Sequence, residues 1–419
     1  MITVGIVGVG TVGKSVAEIL EQNRDVISAR AGKEIVVKKG IVRDLTKRRE
    51  LKIPLSDNVD EILHDSEIDI VVELMGGVDE AYEVVTKALK SNKAVVTANK
   101  ALLAYHRYEL SELAKELPFE YEASVAGGIP IINALRDGLS ANHIESIMGI
   151  MNGTCNYMLT KMRDEGVAYD AILKESQELG YAEADPTFDV GGFDAAHKLL
   201  ILASIAYGID AKPEDILIEG IENITQEDIA FAKEFGYEIK LLGIAKKDGN
   251  KVELRVHSAL INKDEMIAKI DGVMNGISVV GDKVGETLYY GAGAGGDATA
   301  SAVVANIIDI ARSGKSTPML GFDRPMEGKL SLKDSDEIIS KYYLRINVSD
   351  ETGVLAKITK IFEENSISVE TMLQRPQKNG SANLLISTHS AKESNIQNMI
   401  TKLQTLKFVN TKAVMISIV

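Results

Sequence analysis

Apolar residues enter this chain as short β-branched runs and only later as alternations. Residues 2–7 are continuously apolar apart from Thr3 and Gly5, fit for a strand buried on both faces. The glycine turn Gly8-Val9-Gly10-Thr11-Val12-Gly13 follows, then helical spacing to about residue 23. Runs at 35–42, 68–74, 94–97 and 119–125 predict four more strands, each reached through a helix-length segment. That alternation predicts a doubly wound parallel sheet of the Rossmann type over residues 1–130.

Beyond Pro130 the rhythm loosens. Residues 144–151 read as a strand and Asn152 opens a helix; helices are predicted at 171–180 and 192–207, and strands at 239–247, 252–260 and 273–280. This predicts an α+β domain with a mixed sheet over 131–312, with a helix at 301–311 returning to the first domain at about 296–312. Residues 313–340 are polar and acidic, as a linker is. From 341 to 419 the order is β-α-β-β-α-β, a ferredoxin-like module. The whole is an α/β chain.

A chain of 419 residues needs two or three cores. A net charge of -14 argues against nucleic acid or an anionic membrane as partner, and the longest apolar run, near 199–206, is too short to span a bilayer. The lone cysteine, Cys155, excludes an internal disulfide, and a start that is already a strand points to a cytoplasmic, reducing compartment. Six histidines without a His-Glu-x-x-His spacing argue against zinc.

Candidate chemistry begins at the glycine turn. Gly8, Gly10 and Gly13 let backbone amides approach a pyrophosphate at a helix N-terminus, which predicts dinucleotide binding. At the end of the second strand stands Arg43, where an acid would select NAD; a guanidinium suits a ribose 2′-phosphate, so NADP is expected, with Asp44 leaving NAD open. The strand ending Thr97-Ala98-Asn99-Lys100 would direct Thr97 and Lys100 toward nicotinamide and substrate. Glu122, with the carbonyls of Val125, Gly127 and Ile129, offers oxygen ligands for a hard cation, or forms a simple turn. The helix opened by Asn152 has free amides for a substrate carboxylate, or is merely capped by Asn152 or Thr154. From 180 to 203 runs Gly-Tyr-Ala-Glu-Ala-Asp-Pro-Thr-Phe-Asp-Val-Gly-Gly-Phe-Asp-Ala-Ala-His-Lys-Leu-Leu-Ile-Leu-Ala. Asp194 and Lys198 share a helix face there, and a lysine opening an apolar run could exchange a proton. A surface ion pair is the plainer alternative. Glu183 and Asp185 could hold a cationic substrate group. The glycines at 291–296 mark a second helix start close to a ligand.

Together, Gly-Val-Gly-Thr-Val-Gly, Thr-Ala-Asn-Lys, Glu-Ala-Ser-Val-Ala-Gly-Gly-Ile-Pro, Asn-Gly-Thr-Cys-Asn-Tyr and Gly-Tyr-Ala-Glu-Ala-Asp-Pro through Asp194 and Lys198 resemble homoserine dehydrogenase over residues 1–312. The resemblance implies reversible reduction of L-aspartate 4-semialdehyde to L-homoserine by NAD(P)H, in threonine, methionine and isoleucine biosynthesis. It casts Lys198 as proton donor, Lys100 as a second lysine at the reacting centre, and Glu183 and Asp194 as substrate ligands. It adds Thr11, Val12, Gly180 and Gly295 to the cofactor positions and matches Glu122, Val125, Gly127 and Ile129 to a sodium site. It further implies that residues 131–312 are the substrate-binding, catalytic and dimerisation domain of a homodimer or homotetramer. Cys155 stands where that family more often has threonine. A helix-terminal thiolate motivates an alternative, a phosphorylating aldehyde dehydrogenase.

Residues 341–419 resemble an ACT domain, an amino-acid-sensing module. The resemblance implies an amino-acid effector near Gly353, threonine by analogy, with deletion of 341–419 as its test. A non-catalytic sensor of NADP and an amino acid is the remaining alternative.

Overall fold

The computed structural model describes residues 1–313, 317–326, 328 and 330–419. The part of the expected linker at 314–316, 327 and 329 lies outside the described residues. The chain forms two compact units: Met1–Ile147 with His197–Asp215 and Val273–Leu330, and Met148–Ala196 with Ile216–Gly272 and Ser331–Val419.

The first unit holds a six-stranded sheet of β1 (Ile2–Val7), β2 (Ile35–Ile41), β3 (Leu55–Ser56), β4 (Ile70–Glu73), β5 (Ala94–Thr97) and β6 (Phe119–Glu120). Its order is β3-β2-β1-β4-β5-β6, and every pair is parallel. Strand order reverses between β1 and β4, which opens a crevice beyond their carboxyl ends. The continuous runs are buried as expected, with Val4, Ile6, Val72 and Val96 in one core. The helix Gly296–Ser313 sends Val303 and Ile307 into that same core.

Several elements depart from the expectation. The fifth run is a strand only at β6; a 3-10 turn at Glu122–Ser124 ends it, because the Glu122 carboxylate turns to accept the amides of Ile132 and Asn133. The helix expected at 301–311 begins at Gly296, since Gly293-Ala294-Gly295 supply the turn that starts it. The strand Gly285–Ala292 was not foreseen. It pairs antiparallel with Met274–Gly281, and its glycines masked an otherwise readable β pattern. The helices Arg24–Ala31 and Gln226–Glu234 were also missed, being short and weakly amphipathic.

In the second unit the strands Tyr237–Asp248, Lys251–Asn262, Val414–Ile418, Ile339–Ser349, Ser381–Thr388 and Val369–Pro376 lie in that order. The last four make the antiparallel 4-1-3-2 sheet of a ferredoxin-like module, covered by the helices Val354–Glu364 and Glu393–Gln404. Its edge strand Val414–Ile418 pairs in parallel with Lys251–Asn262 through Ala259 and Leu260, so the small domain continues a larger mixed sheet. Linker residues take part as well, Ser331–Leu332 pairing with Lys251 and Val252.

Candidate active site

The first unit builds its site mainly from backbone. Gly8 has φ +100°, and a Cβ there would stand 2.5 Å from the Leu74 carbonyl oxygen; one on Gly13 would stand 2.4 Å from that of Gly8. These two glycines are therefore required by packing alone. Gly10 is different, because a Cβ there meets nothing within 4 Å. It caps the helix Thr11–Gln22 without any side-chain hydrogen bond, leaving first-turn amides for an anion. The adjoining cleft, of about 560 Å³, is bounded by Gly8, Gly10, Arg43, Arg49, Leu74 and Glu80 among others. Its size and its amide-lined end fit a dinucleotide.

Arg43 stands at the rim of this cleft, 80% exposed, with Nη2 3.0 Å from Glu80 Oε2. Asp44 is occupied: its carboxylate accepts the Thr46 amide at 2.9 Å and hydroxyl at 2.5 Å, which holds it below the usual carboxylate range. Arg49, given no separate role from the sequence, donates to the carbonyls of Val9 and Asp44 at 3.2 and 2.8 Å and folds this basic loop onto the glycine turn.

At the ends of β4 and β5 the buried Glu73 accepts from the Thr97 hydroxyl at 2.6 Å and the Met75 amide at 2.7 Å. Burial pushes its carboxyl up against those hydrogen bonds. Asn99 joins the group, its amide donating to Thr97 Oγ1 at 3.0 Å and its side chain to the Gly77 carbonyl at 2.7 Å, and it caps the helix Lys100–Ala114. Thr97 is thus held from both sides. The polar endings of the two runs were the available signal for Glu73 and Asn99.

Three glycine segments meet within this unit. A Cβ on Gly127 would lie 2.8 Å from the Gly293 carbonyl oxygen, and one on Gly296 only 3.2 Å from Thr11 Cγ2. Gly295 has φ +125°. Ala126 and Gly127 are both left-handed, at φ +53° and +51°, which bends the chain between Val125 and Ile129. Glu122 is buried there, its carboxyl pushed up to about 7 by burial despite the amides of Asn133 and Ile132. Each of its oxygens accepts one of those amides, Oε1 that of Ile132 at 2.7 Å and Oε2 that of Asn133 at 2.9 Å.

Lys198 lies on the helix Phe193–Tyr207 and is 8% exposed. Lys100 opens the helix Lys100–Ala114 and is half-buried. These helices touch: Tyr105 meets the His197 ring edge-on at 5.6 Å, and buried Arg107 bonds Ser204 Oγ and, at 2.6 Å, the Ala211 carbonyl. Arg107 escaped the sequence reading because its partners lie about a hundred residues away.

The second unit builds with side chains. Asn152 Oδ1 caps the helix Gly153–Glu165 through the Cys155 amide at 2.8 Å, while its Nδ2 donates to Asp189 and Asp194, both at 2.8 Å. Asp194 is 3% exposed. The Cys155 thiol is buried and donates to the Asp189 carbonyl at 3.3 Å, a poor setting for a nucleophile. Glu183 is exposed, in the loop after Gly180, which has φ +75° and follows the helix Tyr169–Glu178. Asp185 accepts the Thr187 amide at 3.1 Å, in the turn ahead of the short helix Thr187–Val190, a structural task. Among the described residues no group of three or more His, Cys, Asp or Glu side chains is arranged to hold a metal, and no helix is long and apolar enough to cross a membrane.

A parallel sheet in this order, with a glycine turn at its switch point, defines a dinucleotide-binding protein, here with an appended ferredoxin-like domain. Comparison with known proteins is more specific. Residues 8–122 match the family model for the homoserine dehydrogenase NAD-binding domain, residues 130–308 that for homoserine dehydrogenase, and residues 342–408 that for the ACT domain. A homoserine dehydrogenase of Helicobacter pylori is 55% identical, covering 97% of this chain and 96% of its own length. The crystal structure of one from Thiobacillus denitrificans matches with TM-score 0.92 at 46% identity, covering 100% of this chain and 98% of that one. A hyperthermophilic archaeal homoserine dehydrogenase in complex with NADPH matches with TM-score 0.62 at 28% identity, over 74% of this chain and 97% of its own. This chain belongs to the homoserine dehydrogenase family, and it is an oxidoreductase with a nicotinamide-nucleotide domain and an ACT domain.

Proposed function

We propose that the protein interconverts L-aspartate 4-semialdehyde and L-homoserine, with NADP as its preferred nucleotide. The observation that carries this reading is a single apolar helix, Phe193–Tyr207, that buries both Asp194 and Lys198 four residues apart. A surface ion pair would leave both in water. A bound reduced nicotinamide supplies the hydride. Negative charge then develops on the aldehyde oxygen, and the Lys198 ammonium stabilises it and gives up its proton. Lys100 adds positive charge at the same oxygen. Asp194, held by Asn152, and Glu183 receive the substrate ammonium.

Gly8, Gly10 and Gly13 with Thr11 and Val12 receive the pyrophosphate, and Thr97, Gly180 and Gly295 line the rest of the nucleotide. Arg43 at the rim, the engaged Asp44 and the archaeal relative's NADPH all favour the 2′-phosphorylated form. Glu122 with the carbonyls of Val125, Gly127 and Ile129 would hold a sodium ion. We read the chain as a cytoplasmic homodimer or homotetramer whose ACT domain takes an amino-acid effector, threonine by family likeness.

The test is absorbance at 340 nm with homoserine and either nucleotide. Turnover with a lower KM for NADP is expected, and Cys155→Ala should keep most of it. No absorbance change with either nucleotide would end the reading in favour of a sensor, and a dead Cys155→Ala would revive the thiolate mechanism.

A further inference from the structure

The helix Gln226–Glu234 is gripped by the small domain at each of three acids. Asp228, fully buried, spends one carboxylate oxygen on the Thr225 amide and hydroxyl, both at 2.8 Å, which closes the helix start. The other oxygen accepts from the Tyr343 hydroxyl at 2.7 Å and Arg345 Nε at 2.8 Å, while Arg345 Nη2 reaches the Asn223 carbonyl at 2.9 Å. Glu227 takes Gln377 at 2.7 Å and also Asn383; Glu234 takes Arg375 at 2.8 Å. Phe231 packs on the Tyr343 ring at 4.5 Å. All these partners stand on the strands Ile339–Ser349, Val369–Pro376 and Ser381–Thr388 or the turn after Pro376.

The first residue of the gripped helix turns the other way. Gln226 Nε2 donates to the carbonyls of Met162 at 2.9 Å and Val167 at 2.7 Å, at the C-terminal end of the helix Gly153–Glu165. Those carbonyls have no intrahelical partner of their own. A cleft of about 300 Å³, bordered by Thr160, Arg163, Ala232, Lys233 and Lys240, opens among the two helices and the strand Tyr237–Asp248. At its other end, about 20 Å away for 13 residues, the same helix carries the Asn152 cap that grips Asp194.

We propose that Arg345 and Gln226 are positioning residues for the substrate's ammonium: the small domain fixes the helix Gln226–Glu234, Gln226 fixes the helix Gly153–Glu165, and Asn152 at its far end sets Asp194. The inference rests on reading Asp194 as a substrate ligand. It makes the small domain part of the substrate-binding frame whether or not an effector is bound. Deleting residues 341–419 would then confound regulation with loss of that frame, because it strips Asp228 of two donors and the strand Lys251–Asn262 of a neighbour.

The test uses the full chain with Arg345→Ala, Arg345→Lys, Gln226→Ala and the Arg345→Ala, Gln226→Ala double variant. Each alanine variant should raise the homoserine KM roughly fivefold, the scale of one hydrogen bond, with kcat and the KM for NADP nearly unchanged. Arg345→Lys should recover part of the loss, and the double variant should fall short of the product of the singles, as residues in one chain of contacts do. Amide exchange in the first turn of the helix Gly153–Glu165, read without substrate, should quicken in both alanine variants. Gln226→Ala removes only a half-buried side chain and keeps the test open if Arg345→Ala folds poorly. Unchanged exchange in that turn, or an unchanged homoserine KM in Gln226→Ala, overturns the proposal. Faster exchange in a protein whose wild type ignores homoserine supports the mechanical link and refutes the substrate reading instead.

Discussion

The glycine turn after β1 and the cluster around Asn152 would each give a charged group a fixed place, by opposite means. The turn works with backbone amides, and its neighbours in sequence are its neighbours in space: Gly8, Gly10 and Gly13 lie within six residues. The Asn152 cluster works with side chains, and its carboxylates come from 37 and 42 residues away. A backbone site should therefore fail by collision and a side-chain site by loss of a partner. The two failures look different in a purified protein.

The largest effect expected is Lys198→Ala, which should lower kcat by about 10³-fold, within the range for a lost general acid, while leaving the melting temperature near that of wild type. Steady-state kinetics beside a thermal melt would check it, and a loss of less than about tenfold would remove Lys198 from the centre of the chemistry. Gly8→Ala should come next. Its Cβ would meet a carbonyl at 2.5 Å with φ +100°, and the expected loss is about 3 kcal/mol of stability, read by denaturant unfolding, with nucleotide binding lost as well.

Asn152→Ala should raise the homoserine KM about tenfold, the scale of a hydrogen bond to a charged group, and remove about 1 kcal/mol of helix capping. Gly10→Ala sharpens the contrast with Gly8→Ala. With open space around its Cβ it should keep wild-type stability and raise only the KM for nucleotide, because the added methyl meets ligand rather than protein. If it destabilises as Gly8→Ala does, Gly10 is structural and the proposed pyrophosphate position is wrong.

A further effect, on stability, depends on pH. Burial, with Arg255 nearby, lowers His257 from its usual 6.5 to about 3. Between those values the unfolded chain binds a proton that the folded chain does not, so stability falls as pH drops below 6.5, by up to about 1.4 kcal/mol per pH unit. His257→Gln should flatten that part of the profile. Melting temperatures at pH 7.5, 6.0 and 5.0 for both proteins would show it, and equal slopes would mean that other groups carry the acid sensitivity.

Legibility from the sequence followed the reach of the interactions. The runs forming β1, β4 and β5 were readable because a strand buried on both faces is apolar nearly throughout. The 3.6-residue spacing around Lys198 marked its helix for the same kind of reason. Glu122 interrupted a predicted strand because its carboxylate caps a turn ten residues on. The helix Gln226–Glu234 offered one local sign, the Thr225-x-x-Asp228 capping box. Its meaning was hidden, since Tyr343 and Arg345 lie 115 and 117 residues beyond Asp228.

By itself the sequence determined the parallel sheet with its glycine turn and the ferredoxin-like module, because periodicity and turn stereochemistry act over a few residues. Only the tertiary structure decided that Cys155 is buried against a carbonyl, that Asp44 is occupied by Thr46, that Asn152 grips Asp194, and that the small domain holds a helix of its unit through Asp228. Burial and hydrogen-bond partnership depend on which distant segments arrive together, and no local pattern encodes that.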